Sequence, residues 1–315
     1  MVESMDNVLF HTFATQGYLH WAELYLESLR YVYGDNVHIR MDAINFDQDD
    51  IKMLKHIKSN LDIRNHIIDY KEEGKKLGIE HDVFQSWKNE VEKGCVTSNN
   101  YLFKIFISVN KRYRNMQFVI DEAKNKGFKY LLHSDIDAYF RKSLNGLFDI
   151  MYENDIGAYF RRSSKDTQKV LGAFLVFNLQ RNCFPFINEW MHQIDSVPFQ
   201  NRWRDFGQSV LWYAIINTKD KVSIVDLATQ YKAPIYSQMF DTSAHIWFGS
   251  NSISLNKRET PLNKSWKDLK TGLPRIRLSQ KNKISQNYFL MYVYHFFDFM
   301  YMCLRKLKRK LQYRW

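Results

Sequence analysis

Length and composition favour one sizeable folded core. The chain has 315 residues, of which 45% are hydrophobic and 16% aromatic, and this composition disfavours an intrinsically disordered protein. With only 5 Pro and 12 Gly, it also disfavours a linker-rich or all-β chain.

The positive charge of the chain is concentrated near its C-terminus. The net charge is +11, but residues 275–315 contain ten Lys and Arg against a single acidic residue, Asp298, so this segment carries +9 and the rest only +2. A nucleic-acid-binding domain would have its basic face within the folded body, so we expect no nucleic-acid partner. The expected partner of the basic segment is an anionic membrane surface.

Cysteine spacing and the N-terminal residues favour a reducing compartment. Cys95, Cys183 and Cys303 are far apart and form neither a CxxC pair nor a zinc-binding pattern. Residues 1–6 lack the basic region and apolar run of a signal peptide. We therefore expect free thiols and a cytoplasmic protein, attached peripherally to the inner face of the membrane.

Strand and helix patterns alternate in the N-terminal part of the chain. The apolar run at residues 8–14 predicts a buried strand, and the spacing of apolar residues over 18–32 predicts a helix. A second strand is predicted at 37–41, a helix at 49–61 and a third strand at 66–70. This β-α-β-α-β order predicts a parallel sheet covered by helices.

The centre of the chain places an acidic motif at the end of a strand. A helical pattern over residues 117–126 ends at Gly127, a typical helix C-cap, and a strand is predicted at 129–133. The sequence Ser-Asp-Ile-Asp at 134–137 follows directly. In open α/β sheets, ligands bind beyond the carboxyl ends of the strands. Further strands are predicted at 156–160, 173–178 and 222–225, and helices at 184–194 and 208–216.

Asp135 and Asp137 form the candidate metal site. Two carboxylates one residue apart at the end of a strand repel each other unless a cation lies between them. Carboxylate oxygens favour Mg²⁺ or Mn²⁺, whose coordination is commonly completed by substrate phosphates. The alternative is a solvated acidic turn, because a bare Asp-x-Asp is common by chance.

The stretch 127–149 resembles the DXD region of GT-A glycosyltransferases, which transfer a sugar from a nucleotide-diphosphate donor. Three further segments, at 172–178, 203–211 and 245–249, resemble later elements of that family in the same order. The resemblance covers residues 6–255. It implies a Rossmann-like GT-A fold of class α/β, with a central, mostly parallel sheet flanked by helices.

The resemblance also implies roles for individual residues. Asp137 would bind the metal directly, Asp135 would contact the metal or the nucleotide ribose, and His245 would be the third protein ligand of Mn²⁺ or Mg²⁺. The first strand would line the nucleobase pocket, and a small residue would lie beneath the donor sugar. The residues expected at the donor are Phe10, Thr12, Ala14, Thr15, Asp135, Gly172 and Ala173.

Three cations before the motif have two open interpretations. Lys104, Arg112 and Arg114 lie in a helical region. They could meet the donor diphosphate, for which Lys104 is the first candidate, or form a solvated helix face. Two histidines lie in predicted strands, where we expect His11 to be a satisfied core or pocket-edge residue and His133 to pack.

Asp205 is the candidate catalytic residue. The family's Asp-Gln pair is split here, because Gly207 precedes Gln208 and the acid lies two residues earlier. Asp205 could take a proton from the acceptor hydroxyl or cap the helix that contains Gln208. A base at Asp205 would favour inversion of configuration, whereas the segment around His245 favours retention.

The C-terminal segment predicts an amphipathic, basic membrane-associating helix. Residues 288–304 are almost wholly apolar and aromatic, and six Lys and Arg follow between Arg305 and Arg314. Since an acid at mid-bilayer costs roughly 2.5–3.5 kcal/mol, Asp298 argues for a surface helix rather than a span. The alternative is a helix packed on the core. We divide the chain into a GT-A catalytic domain, 1–262, and a membrane-associating tail, 263–315.

Together these features predict a metal-dependent glycosyltransferase. It would move a sugar from a nucleotide-diphosphate donor, expected to be a UDP-sugar, to a glycan or lipid-linked acceptor in surface polysaccharide, lipooligosaccharide or glycoconjugate biosynthesis. The alternative is a non-catalytic, membrane-associated protein that binds sugar nucleotides or acts as a scaffold on the same fold.

Overall fold

The computed structural model describes residues 5–76, 99–144, 146–161, 169–196, 206–230, 236–238 and 244–248. The ten strands in these ranges are β1 Val8–Thr15, β2 His38–Ile44, β3 Leu61–His66, β4 Tyr130–Ser134, β5 Ala138–Phe140, β6 Ile156–Phe160, β7 Val170–Asn178, β8 Ile224–Asp226, β9 Tyr236–Gln238 and β10 Ile246–Phe248. The eight α-helices are α1 Leu19–Tyr33, α2 Gln48–Ile57, α3 Tyr70–Lys76, α4 Asn99–Asn125, α5 Leu147–Met151, α6 Phe184–Ser196, α7 Phe206–Thr218 and α8 Leu227–Gln230.

Seven strands form the central sheet, in the order β3-β2-β1-β4-β7-β6-β8. Six of them run parallel, and β7 runs antiparallel to its neighbours β4 and β6. The predicted α/β class, with a mostly parallel sheet flanked by helices, is confirmed. Strand β4 lies in the middle of the sheet, so the segment after Ser134 emerges at its centre.

Helices cover both faces of this sheet because the strands are apolar on both sides. Alternate residues of β1 point to opposite faces, so Phe10 packs in the cluster that contains Tyr25 of α1, and Leu9 packs in the cluster that contains Ile120 of α4 and Trp190 of α6. Burial on both faces is typical of parallel sheets and explains the near-continuous apolar runs.

The third strand was predicted in the wrong place. It spans Leu61–His66 rather than 66–70, and the preceding helix ends at Ile57 rather than at residue 61. β3 is an edge strand in which only Leu61 is buried, so it lacks the apolar run that indicates an inner strand. Residues 67–69, which follow β3, are not part of the sheet. Their backbone bonds to a side chain, since Ile68 N donates to Asn45 Oδ1 at 2.7 Å.

A small second sheet, β5-β10-β9, lies next to the acidic motif. β5 begins one residue after Asp137, and β10 pairs with it in antiparallel fashion. None of the helices within the described ranges is long and apolar enough to cross a membrane. The tail, 263–315, lies outside the described residues, so its predicted helix and the domain boundary stay predictions.

Candidate functional site

The Asp135–Asp137 turn lies at the carboxyl end of β4. Asp135 N donates to Ala173 O of β7 at 2.9 Å, and Ala138 N donates to Asp135 O at 3.0 Å, which closes a tight turn. Between the two acids, Ile136 is buried in the core and anchors the turn. Asp137 is only 4% exposed, whereas the Asp135 side chain is 25% exposed. The end of β4 and this turn therefore fix the backbone positions of both acids.

The guanidinium of Arg112, on α4, lies directly against this turn. Its Nη2 atom is 2.5 Å from Asp135 Oδ1. The same nitrogen donates to His133 Nε2 at 2.6 Å and to Gly172 O at 3.2 Å, which uses both of its hydrogens. The contact with Asp135 is therefore ionic. The Arg112 side chain is 14% exposed and so is not part of a solvated helix face, and its contact with a diphosphate stays a prediction.

Charge dominates the environment of Arg112. Burial alone would lower the pKa of the guanidinium, but the carboxylates of Asp135 and, more weakly, Asp137 raise it overall. Two buried atoms at this point, Asp135 Oδ1 and Arg112 Nε, have no hydrogen-bond partner within the described part of the chain. Arg112 Nε is thus a buried donor without an acceptor, as suits a ligand with anionic oxygens, whereas Asp135 Oδ1 already lies against the guanidinium.

The donor chemistry of the turn fits Mg²⁺ or Mn²⁺. Both ions bind through one or two carboxylates, with substrate phosphates and water as further ligands. Within the described ranges, no three carboxylate, imidazole or thiol side chains are grouped so that they could hold one metal ion. A metal at Asp135 and Asp137 would accordingly take its remaining ligands from elsewhere, and a diphosphate supplies suitable oxygens.

His245 is linked to the same region but is not brought beside the two acids. It precedes β10, and its carbonyl accepts from Arg141 N at 2.8 Å, just beyond the end of β5. Its Nδ1 donates to Ser143 O at 2.7 Å, so Nε2 carries the ring's lone pair, as in a metal-binding histidine. Burial lowers the pKa of His245, as do the charges of Lys142 and Arg141. Its role as a ligand stays a prediction.

The residues of β1 expected at the donor are mostly enclosed. Phe10 is fully buried against Tyr33 and Phe140, and Ala14 is buried as well. Thr12 is buried with an Oγ1 that has no hydrogen-bond partner in the described structure, and Thr15, at the end of the strand, is half-buried. These residues thus belong to the core in and just after β1, and their contact with a donor stays a prediction.

Gly172 and Ala173 lie beside Arg112 and the acidic turn, through the contacts of their carbonyl oxygens. A Cβ atom on Gly172 would be 3.1 Å from the Tyr113 hydroxyl and 3.8 Å from Gln208 Cγ, so α4, β7 and α7 meet here. Gly207 is packed even more tightly, since a Cβ atom would be 2.2 Å from the Tyr113 ring. This packing explains why the residue before Gln208 is not an acid.

Two predicted site residues cannot be placed fully. Asp205 lies outside the described residues, so its role as a base stays a prediction. The backbone of Lys104 belongs to α4, but its side chain is not among those described. Arg114, in contrast, is exposed and pairs with Asp195 at 2.5 Å, as expected of a solvated helix face.

A pair of buried histidines is the functional feature that the sequence analysis missed. His133 was expected only to pack and His11 to be a satisfied core or pocket-edge residue, yet His133 contacts both Arg112 and His11. The sequence contained only a weak indication of this pair, namely one histidine in each of two otherwise apolar predicted strands. Their contact depends on strand order and register, which pair His11 with His133 across β1 and β4.

No protein-family model matches the chain, and no curated protein matches it. Three solved glycosyltransferases have a similar chain path. GlyE of Streptococcus pneumoniae TIGR4 is 14% identical with a TM-score of 0.45, over 83% of this chain and 59% of GlyE. LgtC, a galactosyltransferase in complex with donor and acceptor sugar analogues, is 14% identical with a TM-score of 0.39, over 87% of this chain and 99% of LgtC.

The third is core-mannan synthase A of Aspergillus fumigatus in an Mn/GDP form, which is 12% identical with a TM-score of 0.46, over 66% of this chain and 69% of the synthase. The chain spans only 59% of the length of GlyE. At these identities and scores the likeness does not extend to activity, donor or metal.

Proposed function

We propose that the protein is a metal-dependent glycosyltransferase that uses a nucleotide-diphosphate sugar. The observation that carries this proposal is the joint placement of Asp135, Asp137 and Arg112 at the carboxyl end of β4. A half-buried carboxylate against a guanidinium, with the buried carboxylate of Asp137 in the same turn, forms a site of mixed charge, which suits a cation and a diphosphate bound together.

The charges of the site support this pairing of ligands. A diphosphate alone would be repelled by Asp135 and Asp137, and a divalent cation alone would be repelled by Arg112. When bound, Mn²⁺ or Mg²⁺ would offset the negative charge of the diphosphate as it leaves. Arg112 Nε, a buried donor without a partner in the described chain, can donate to a phosphate oxygen.

The finer parts of the proposal rest on the sequence. The donor is proposed to be a UDP-sugar and the acceptor a glycan or lipid-linked molecule. Asp205 is proposed as the base if the reaction inverts configuration. A cytoplasmic location is proposed from the spacing of the cysteines, and attachment to the inner face of a membrane from the basic, aromatic tail.

Calorimetric titration with UDP and MnCl₂ tests the site, and turnover of a panel of nucleotide sugars tests the activity. Asp137→Asn removes one of the two carboxylate charges, so we expect it to weaken Mn²⁺-dependent UDP binding at least tenfold. Glu153→Gln, which changes an exposed acid away from the turn, is the control and should bind like the wild type. Equal UDP affinity of Asp137→Asn and the wild type would refute the site. UDP binding without turnover of any nucleotide sugar would favour the non-catalytic alternative.

A further inference from the structure

A continuous row of buried polar groups runs from Arg112 across the face of the sheet that α4 covers, from β4 to β2. Arg112 Nη2 contacts His133 Nε2 at 2.6 Å, and His133 Nδ1 lies 2.8 Å from His11 Nδ1. His11 Nε2 lies 2.8 Å from Asp42 Oδ2. We call His133, His11 and Asp42 the histidine relay. All three are at most 1% exposed, and they come from β4, β1 and β2, which are adjacent in the sheet.

The proton positions in the relay follow from its two ends. Arg112 can only donate, so His133 Nε2 must accept and His133 must carry its proton on Nδ1. That proton points at His11 Nδ1, which therefore accepts, and His11 carries its own proton on Nε2, facing Asp42. Both histidines are thus neutral, and every bond in the row runs in one direction, from Arg112 to Asp42.

Asp42, the last residue of the histidine relay, is held in place by several hydrogen bonds. Besides His11, it binds His66 Nε2 at 2.8 Å and Arg40 Nε at 3.0 Å. Burial alone would raise the pKa of Asp42, but the hydrogen bonds from His11, His66 and Arg40 hold it well below its ordinary range. Arg40 in turn pairs with Glu122 of α4. The end of the relay is therefore an ionised carboxylate held from three sides.

We propose that His133, His11 and Asp42 are positioning residues of the donor site, which hold the Arg112 guanidinium in the orientation that faces Asp135 and a bound diphosphate. The proposal rests on the proposed function. The relay supplies one of the two acceptors of Arg112 Nη2, and Gly172 O supplies the other. Without the relay acceptor, only Gly172 O and the ion pair with Asp135 hold the guanidinium, so its orientation is less well fixed.

Two substitutions of His133 separate positioning from packing. Gln places an amide oxygen near the position of Nε2, so His133→Gln keeps an acceptor for Arg112. His133→Leu fills the same space and removes it. In calorimetric titrations of UDP with Mn²⁺, we expect His133→Leu to weaken binding about tenfold, since a hydrogen bond to a charged group contributes about 1.5–3 kcal/mol. His133→Gln should stay within about threefold of the wild type.

A double-mutant cycle shows whether His133 acts through Arg112. In an Arg112→Met background, His133→Leu should change UDP affinity less than twofold, because the group that it positions is already absent. Asp155→Asn is the matched control. It alters a buried carboxylate that binds Arg181 and Ser223 beyond the opposite end of β4, so it should lower stability and leave UDP affinity unchanged.

The tautomers of His133 and His11 can be measured without any nucleotide and test the proton positions in the histidine relay. Long-range ¹H–¹⁵N NMR should show His133 as the neutral Nδ1–H form and His11 as the neutral Nε2–H form, and the reverse assignment would overturn the relay. The positioning role would be overturned, while the proposed function stands, if His133→Leu bound UDP with wild-type affinity. An equal loss of UDP affinity from His133→Leu in the wild-type and Arg112→Met backgrounds would overturn it as well. If the wild type itself binds neither UDP nor UDP-sugars with Mn²⁺, the proposed function fails, and the positioning role fails with it.

Discussion

Arg112 and Arg114 are two residues apart on α4 but occupy opposite environments. The Arg112 side chain is 14% exposed and lies against Asp135, whereas the Arg114 side chain is 41% exposed and pairs with Asp195 of α6. Two residues turn a helix by about 200°, so one cation reaches the end of β4 and the other faces solvent. This contrast provides a matched pair of variants.

Arg112→Met should weaken binding of UDP and Mn²⁺ by roughly 10- to 100-fold, the range set by losing a charged hydrogen-bond donor worth about 1.5–3 kcal/mol. Arg114→Met removes the same charge from the surface, where an ion pair contributes about 0–1 kcal/mol to stability. It should leave UDP affinity unchanged. Titration calorimetry at constant ionic strength measures both. Similar losses in the two variants would mean that only the net charge of the helix matters.

His11 should make stability depend on pH. Burial lowers its pKa, the bond to Asp42 opposes this, and the charges of Arg40 and Arg112 lower it further. Because the folded pKa lies below the ordinary value of 6.5, the unfolded chain binds more protons in the range between the two. Stability is therefore fully present above about pH 6.5 and is lost as the pH falls towards the folded pKa.

The size of the effect from one histidine is at most about 1.4 kcal/mol per pH unit. Urea unfolding at pH 7.5, 6.5 and 5.5 without metal measures it. His11→Gln should lower stability at pH 7.5 but flatten the decline below pH 6.5. His192→Gln, an exposed position on α6, should keep the wild-type slope. An unchanged slope in His11→Gln would show that other groups cause the decline.

The sequence could predict the acidic turn because its signal is local. The predicted strand at 129–133 became β4, Tyr130–Ser134, and Gly127 has the predicted left-handed conformation, with φ +83°. An apolar run, a helix cap and two acids all lie within one short stretch. The position of Asp135 and Asp137 at the end of an inner strand follows from these features without knowledge of any distant contact.

The neighbours of the turn could not be predicted in the same way. The contact between His133 and Arg112 depends on how α4 crosses the sheet, and the contact between His133 and His11 depends on the pairing of β1 with β4. The antiparallel direction of β7 also depends on tertiary packing. β5 and β10 have three residues each, too few for a periodic pattern, so the position of His245 could not be derived either.

Gly207→Ala should be destabilising although alanine favours helices. The new Cβ would lie 2.2–2.4 Å from the hydroxyl, Cζ and Cε2 atoms of Tyr113, which is itself buried against Trp190. Overpacking of this kind costs about 1–3 kcal/mol, more than the gain of about 1 kcal/mol in helix propensity. Urea unfolding should show a lower midpoint with an unchanged slope. A midpoint equal to that of the wild type would mean that Tyr113 can move.

Gly172→Ala tests the same ring from the other side. Its Cβ would be crowded only by the Tyr113 hydroxyl, at 3.1 Å, because Gln208 Cγ at 3.8 Å and Leu211 Cδ2 at 3.9 Å are at ordinary contact distance. Tyr113→Phe removes that hydroxyl, so it should relieve Gly172→Ala but not Gly207→Ala, where the ring carbons remain in the way. The two double-mutant cycles should therefore differ by more than about 0.5 kcal/mol. Equal rescue of both glycine variants would contradict the packing of α7 on Tyr113.

The tail should bind anionic membranes through its charge and its aromatic residues. Each basic residue near an anionic leaflet contributes about 1 kcal/mol, so the six cations between Arg305 and Arg314 together could add several. A chain that ends at Lys283 lacks these cations and the aromatic run at 288–304. Its co-sedimentation with phosphatidylserine vesicles at 0.05 M salt should fall to the level seen with neutral vesicles.

Salt separates the electrostatic part of this binding from the apolar part. Exposed charges are screened over about 10 Å at 0.1 M ionic strength and about 3 Å at 1 M, so full-length binding should weaken steeply between 0.05 and 0.5 M. A full-length variant with all six cations changed to Gln should bind weakly and independently of salt, because only the aromatic contact remains. Both shortened and full-length chains should bind UDP equally, since Asp135 and Asp137 lie in the folded body. Equal vesicle binding of the two chains would refute the anchor, and full-length protein that resists alkaline carbonate extraction would favour a membrane span instead.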